Sequence, residues 1–174
     1  DSNDIGDFYY TPPTGFLALC TKNLPDVDVV PSEHFNTVLY TGTDLAHAIT
    51  GVGFQPDLLW VKARNTGYSH RLTDALIGAT NTLKTNTTDS LSTNDVFDSL
   101  DSDGFTVGTD AGGNGDGITF VAWNWKANGS GASNEVGSIN TTATSANADA
   151  GFSIIEYTGN ATSGATIGHG LSKA

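Results

Sequence analysis

The opening of one stretch of this chain recurs near its end without a gap. Residues 35–62 read FNTVLYTGTDLAHAITGVGFQPDLLWVK. Phe152, Tyr157, Thr158, Gly159, Gly168, Gly170 and Leu171 match Phe35, Tyr40, Thr41, Gly42, Gly51, Gly53 and Phe54, each 117 positions further on. An ungapped recurrence marks a structural unit used more than once in a longer array. Inside the unit, Val38 and Tyr40 are strand-like, and Tyr40-Thr41-Gly42 closes that run with a turn signal. Residues 51–57 form a second turn that delivers the chain into Leu58-Leu59-Trp60-Val61. That run is apolar at successive positions, which predicts a strand covered on both faces.

Polarity here is carried by Gly, Ser, Thr, Asn and Asp, with charged residues only 15% of 174. This is the composition of a turn-rich β protein exposed to solvent. Aromatic and β-branched residues suffice for a core, so disorder is not expected. Seven basic residues stand against 19 acidic ones, a net charge of −12. Nucleic acid and anionic membrane would both be repelled. An 18-residue apolar run is absent, so no membrane insertion is expected. Cys20 is the single cysteine, between apolar neighbours, and reads as a buried small hydrophobe. The lack of methionine suggests a fragment or a processed product.

Turn signals divide the rest. Residues 8–10 and 16–20 read as short strands separated by Pro12-Pro13-Thr14-Gly15. Residues 68–72, 105–107 and 118–125 read as further strands, residues 96–100 lead into a strong turn at 101–104, and residues 74–84 read as one helical turn or a loop. In the clearest strand, Phe120, Ala122 and Asn124 alternate with Val121, Trp123 and Trp125. Residues 128–150 are Asn/Gly/Ser/Thr/Ala-rich, a linker or long loop with a weak strand near 136–139. The expected organisation is residues 1–31, a main domain at 32–127, a linker at 128–150 and an incomplete second copy at 151–174. The expected architecture is all-β, a β-sandwich or jelly-roll-like domain with partial β segments at both ends. Its expected core is Phe35, Val38, Tyr40, Phe54, Leu59, Trp60, Phe105, Val107, Phe120 and Trp123. The second copy repeats a strand and a turn but not the strand that follows them. A lone strand cannot satisfy its backbone groups. Its partner is expected from continuing chain, another chain or the main domain, and the biological unit is expected to be an assembly.

Several phrases together resemble a repeat of unknown function found in virion and tail-fibre-like proteins of bacteriophages, notably marine ones. They are residues 35–62, Ser69-His70-Arg71-Leu72, FDSLDSDGF at 97–105, VAWNWKA at 121–127 and Ile167-Gly168-His169-Gly170-Leu171. Residues 1–31 resemble the closing edge of a lectin-like sandwich of the concanavalin or SPRY kind, followed by a linker. The resemblance implies a virion location, an all-β fold, a homo-oligomer (trimeric by analogy) and contacts with other virion proteins. It carries no established active site.

Candidate chemistry is sparse. His34, His47, His70 and His169 lie far apart, with no zinc-type spacing. Glu33, Glu135 and Glu156 form no recognisable glycosidase pair, so no catalytic residue is assigned. Asp98, Asp101, Asp103, Asp110 and Asp116 fall in loops flanking residues 105–107, where oxygen ligands beside glycine suit Ca²⁺. The same residues also favour turns by bonding their own backbone. Aromatic faces pack on sugar rings, and Trp125, Tyr68 and His70 are the expected ligand-binding set. The reading is a non-enzymatic phage structural protein, a tail-fibre or adhesion module presenting loops to host-surface polysaccharide. A purely architectural capsid or tail part is the alternative, and a glycan-cleaving enzyme comes third.

Overall fold

The computed structural model describes Tyr10, Pro13, Thr14, Phe16 and residues 29–171. The chain divides into two compact units, Asp1–Val30 and Pro31–Ala174. In the first, the Phe16 N–H donates to Pro13 O at 3.0 Å, closing the expected proline turn. The short strands, the setting of Cys20 and the lectin-like edge read from the sequence fall largely outside the described residues.

The second unit is all-β apart from a 3-10 turn at Pro31–Glu33 and one short helix. Its strands are β1 (Phe35–Thr41), β2 (His47–Thr50), β3 (Leu58–Ala63), β4 (Arg71–Asp74), β5 (Asn81–Thr82), β6 (Ser92–Thr93), β7 (Phe97–Asp101), β8 (Gly104–Val107), β9 (Thr119–Trp125), β10 (Ala143–Asn147) and β11 (Phe152–Glu156). The helix α1 spans Ala111–Asn114. Every pairing between these strands is antiparallel. A four-stranded sheet in the order β1-β9-β3-β4 faces a three-stranded sheet, β2-β8-β7. Two two-stranded ribbons, β5-β6 and β10-β11, complete the unit.

Period-2 alternation decides what lies between the sheets. Leu59, Val61, Ala63, Phe120 and Ala122 come from the first sheet; Ile49, Phe97, Phe105 and Val107 come from the second. Val96 joins them, and Val38 and Tyr40 pack against the cluster from one side. The sandwich expected from the sequence is therefore present, and Leu59, Phe105, Val107 and Phe120 are fully buried in it.

Phe54 is buried but lies outside this cluster, and three more residues expected in it face elsewhere. Phe35 is 40% exposed, and Trp60 and Trp123 are half-buried on the outer face of the four-stranded sheet. The reason is register. Phe120 stacks on Tyr40 at 5.0 Å and pairs with it across β1 and β9, fixing the even positions of β9 inward. Both tryptophans of β9, and Trp60 opposite Trp123, must then face outward.

The remaining corrections are local. Tyr68 and His70 precede β4 rather than forming part of it. Beyond β4, Asp74 accepts the N–H groups of Leu76 and Ile77 at 2.8 and 3.0 Å, which makes a tight turn. The Gly-rich segment 111–117 opens with α1, because Asp110 caps it by accepting the Gly112 N–H at 2.7 Å. In the segment read as a linker, the strand is β10 at Ala143–Asn147, while near 136–139 Gly137 and Ile139 make only isolated bridges to Ile167. β10 supplies the partner that β11, the opening strand of the second copy, was expected to lack. Asn147 ties this ribbon back to the sandwich through His34 Nδ1 at 2.9 Å and Lys126 O at 3.2 Å.

Candidate functional site

The outer face of the four-stranded sheet carries two adjoining aromatic files. In the first, Phe35 lies 5.0 Å from Trp125, and Trp125 stacks on Phe152 at 6.1 Å with 21° between the rings. In the second, Trp123 lies 5.4 Å from Trp60, and Trp60 lies 5.7 Å from the His70 imidazole. Cross-strand register places Trp123 opposite both Thr37 and Trp60, and Trp125 opposite both Phe35 and Leu58. Leu39, 61% exposed, extends the apolar surface along the edge strand. Two ring nitrogens on this face, Trp60 Nε1 and His70 Nδ1, are buried with no hydrogen-bond partner among the described residues.

Of the expected ligand-binding set, Trp125 and His70 share this face, joined through Trp123 and Trp60. Trp125 is not an open platform, since it is half-buried against Phe35 and Phe152. His70 is fixed by its own N–H, which donates to Asn86 Oδ1 at 3.0 Å. Tyr68, two residues earlier, is 40% exposed. Sequence reasoning missed Phe35, Trp60, Trp123 and Phe152 as members of the face. The signal that could have found them was the alternation within β9, read with Phe120 rather than the tryptophans turned inward.

The acidic loops are spread over several local structures. Asp103 accepts the N–H groups of Gly53 and Gly51 at 2.7 and 3.1 Å. Those two bonds hold its carboxyl below the usual carboxylate range. Asp101 accepts the hydroxyls of Ser99 and Thr106, both at 2.8 Å. Asp110 caps α1 and pairs with Arg71 at 3.4 Å. Asp98 is exposed; partial desolvation and the nearby Asp95 carboxylate push its carboxyl up. Asp95 is itself held down by the Thr109 hydroxyl and N–H. Asp116 is exposed, and its N–H donates to Asp44 Oδ1 at 3.0 Å. Among the described residues, no three His, Cys, Asp or Glu side chains converge as a metal-binding group.

One buried polar cluster braces the loops below the face. Asn114, fully buried, donates to Leu45 O at 2.8 Å and Gly108 O at 2.6 Å, and accepts the Thr43 N–H at 3.0 Å. Beside it the Tyr40 hydroxyl donates to Gly113 O at 2.6 Å, and burial pushes the phenol well above its ordinary value. With a pKa moved that way, Tyr40 is a fixed neutral donor rather than an acid–base group.

Fold and face together define an all-β sandwich module whose outer sheet face is aromatic and whose opening strand occurs twice. The chain belongs to the family described as Domain of unknown function (DUF7483), which matches residues 30–174. No curated protein and no solved structure matches the chain.

Proposed function

We propose that this chain is a non-enzymatic structural module of a bacteriophage virion, a tail-fibre or adhesion part that binds host-surface polysaccharide and assembles with copies of itself and other virion proteins. The repeated phrases and their resemblance to virion repeats support the location. The observation that carries the adhesion half is the aromatic outer face, where Trp125, Trp123, Trp60, Phe35 and His70 lie side by side, with the exposed Tyr68 two residues before His70 in the chain. Flat rings in a half-exposed row offer apolar faces to the C–H faces of sugar rings, and indole and hydroxyl groups supply polar contacts at their margins. The acidic surface favours neutral or basic polymers over anionic ones.

A purely architectural role is the second reading, and the outer edge of β1 favours it, since β1 ends its sheet and has no strand beyond it among the described residues. A host-surface glycan array with the whole 174-residue chain separates the two. Binding that is lost in Trp123→Ala and Tyr68→Ala, with the fold intact, supports adhesion. Retention of no polysaccharide favours architecture, and shortening of a polymer on incubation would indicate an enzyme instead.

A further inference from the structure

The two copies of the opening strand are paired on opposite edges. In β1, His34 O accepts from Lys126 N at 2.8 Å, and Gly42 N donates to Ile118 O at 2.9 Å. In an antiparallel ladder the groups that bond across come from alternate residues. Asn36, Val38 and Tyr40 therefore turn their N–H and C=O toward β9, while Thr37 and Leu39 turn theirs to the open edge. In β10, Thr144 exchanges both of its backbone bonds with Ala132, at 2.7 and 3.2 Å, away from β11. Ala143, Ser145 and Asn147 must then bond β11, where they face Glu156, Ile154 and Phe152. Ser153 and Ile155 are left pointing to the other edge of β11, which has no strand beside it among the described residues. Shifted by 117 positions, Ser153 and Ile155 are Asn36 and Val38, the residues that hold β9 in the first copy.

The equivalence extends beyond the strand. A side chain at Gly104 would strike Ile49 O, Ile49 C and Thr50 Cα; one at Gly137 would strike Thr166 O, Thr166 C and Ile167 Cα. Thr166 and Ile167 are Ile49 and Thr50 displaced by 117. Both glycines have positive φ, +147° and +110°. The two copies thus share one close approach of a glycine from a different part of the chain, although the turn that follows differs, since Gly51 has φ +87° and its equivalent Gly168 has no positive φ. Phe152 also keeps the ring neighbour of Phe35, stacking on Trp125.

We infer that the open edge of β11 is a docking site for a strand of β9 type, supplied by a further copy of this repeat. The occupant is an extended segment with tryptophan or another large apolar side chain alternating with small residues, uncharged over seven positions as in Thr119–Trp125. Main-chain bonds from Ser153 and Ile155 hold it, and its last tryptophan competes with Trp125 for Phe152. Arrays then join by strand addition, with β10 kept in place on the opposite edge. The inference stands on the two copies alone; an array with no affinity for sugar would use the same edge.

The test is hydrogen exchange on the whole chain with a synthetic peptide of residues 118–127. Docking slows the Ser153 and Ile155 amides about tenfold or more while the Ser145 amide stays as protected as before. No slowing at saturating peptide overturns the inference, as does protection appearing at Thr37 and Leu39 instead, or loss of protection in β10. Ile155→Pro removes one edge donor at an outward-facing position and is expected to abolish the response. Should that variant unravel the ribbon, a peptide N-methylated at alternate amides decides the matter: it fails to protect if strand pairing holds the peptide, and equal protection rejects strand addition.

Discussion

Asp103 grips Gly53 across fifty positions of sequence, its Oδ1 accepting the Gly53 N–H at 2.7 Å while Oδ2 accepts the Gly51 N–H at 3.1 Å. Both glycines sit at φ near +90°, +88° and +87°, where a side chain would be strained. The carboxylate therefore locks a turn that only glycine adopts readily, and it does so from the β7–β8 hairpin. Its folded pKa lies below the ordinary value of about 4, so its contribution is present above that pH and is lost as pH falls through the lowered value. Asp103→Ala is expected to lower the urea midpoint at pH 7. The difference from the parent chain should shrink on acidification below pH ~4, and a difference independent of pH would show that the carboxylate charge is not what holds the turn.

The placement of the tryptophans sets a contrast in stability. Phe105 is fully buried between the sheets, whereas Trp60 is half-buried on the outer face. Phe105→Ala is expected to cost ~3–5 kcal/mol through lost burial and a cavity. Trp60→Ala should cost ~1–3 kcal/mol, because part of its surface is already wet and no closed cavity forms. Equilibrium denaturation of both variants checks the order. A Trp60→Ala chain that fails to fold would return Trp60 to the core that the sequence suggested.

Much of the sandwich was legible because period 2 is a strong signal. Residues 58–61, 105–107 and 118–125 read as strands, and the structure has β3, β8 and β9 there. The side of the sheet was not legible. In β9 the face with two tryptophans is the more apolar by composition, yet Phe120, Ala122 and the buried Asn124 point inward. Alternation shows that a strand has two faces but not which one another sheet covers; that depended on Tyr40 and Phe105 from distant segments. β10 was hidden for another reason. Ala-Thr-Ser-Ala-Asn has no large apolar residue, and it is a strand because β11 and Ala132 pair with its two edges. As for the site, single aromatic and histidine residues could be named from sequence, but their grouping with Phe35 and Phe152 required the register.

Asn114 is expected to matter more for stability than its single-residue size suggests. Replacing it by Ala leaves the Gly108 carbonyl and the Thr43 N–H without a partner, while the Leu45 carbonyl keeps the Thr43 hydroxyl and His47 Nδ1. At ~1–3 kcal/mol for a buried group left unsatisfied, and with partial rescue by water, Asn114→Ala should cost about 3 kcal/mol in urea denaturation. Asn114→Asp should cost at least as much, because it removes both donated bonds and adds a buried charge. A near-neutral Ala variant would mean that water replaces the amide fully.

Chelation offers a direct check on the acidic loops. Asp101, Asp103 and Asp110 already accept hydroxyl, amide or guanidinium hydrogens, and these bonds shape the turns they sit in. Turn stability built from such bonds does not require an ion. The melting temperature is therefore expected to stay the same with and without a calcium chelator. A drop on chelation would reveal a cation bound only by the folded state, which stabilises by mass action.

Amide exchange in the unliganded chain tests the opposite pairing of the two copies, residue by residue. In β1 the Val38 amide faces β9 and the Leu39 amide faces the open edge; in β11 their equivalents, Ile155 and Glu156, are reversed, Ile155 at the open edge and Glu156 toward β10. The β1 ladder belongs to a four-stranded sheet backed by the core, while β10–β11 is a ribbon of two strands with Ile154 as its one buried large side chain. Ladder bonds protect an amide roughly in proportion to the local opening free energy, and an open-edge amide exchanges nearly as in a loop. Val38 should thus be the slowest of the four and Glu156 next, though less slow because a two-stranded ribbon opens more easily. Leu39 and Ile155 should both be fast. Slow exchange at Ile155 together with fast exchange at Glu156 would mean that the two copies are paired alike, and the docking edge proposed for β11 would not exist.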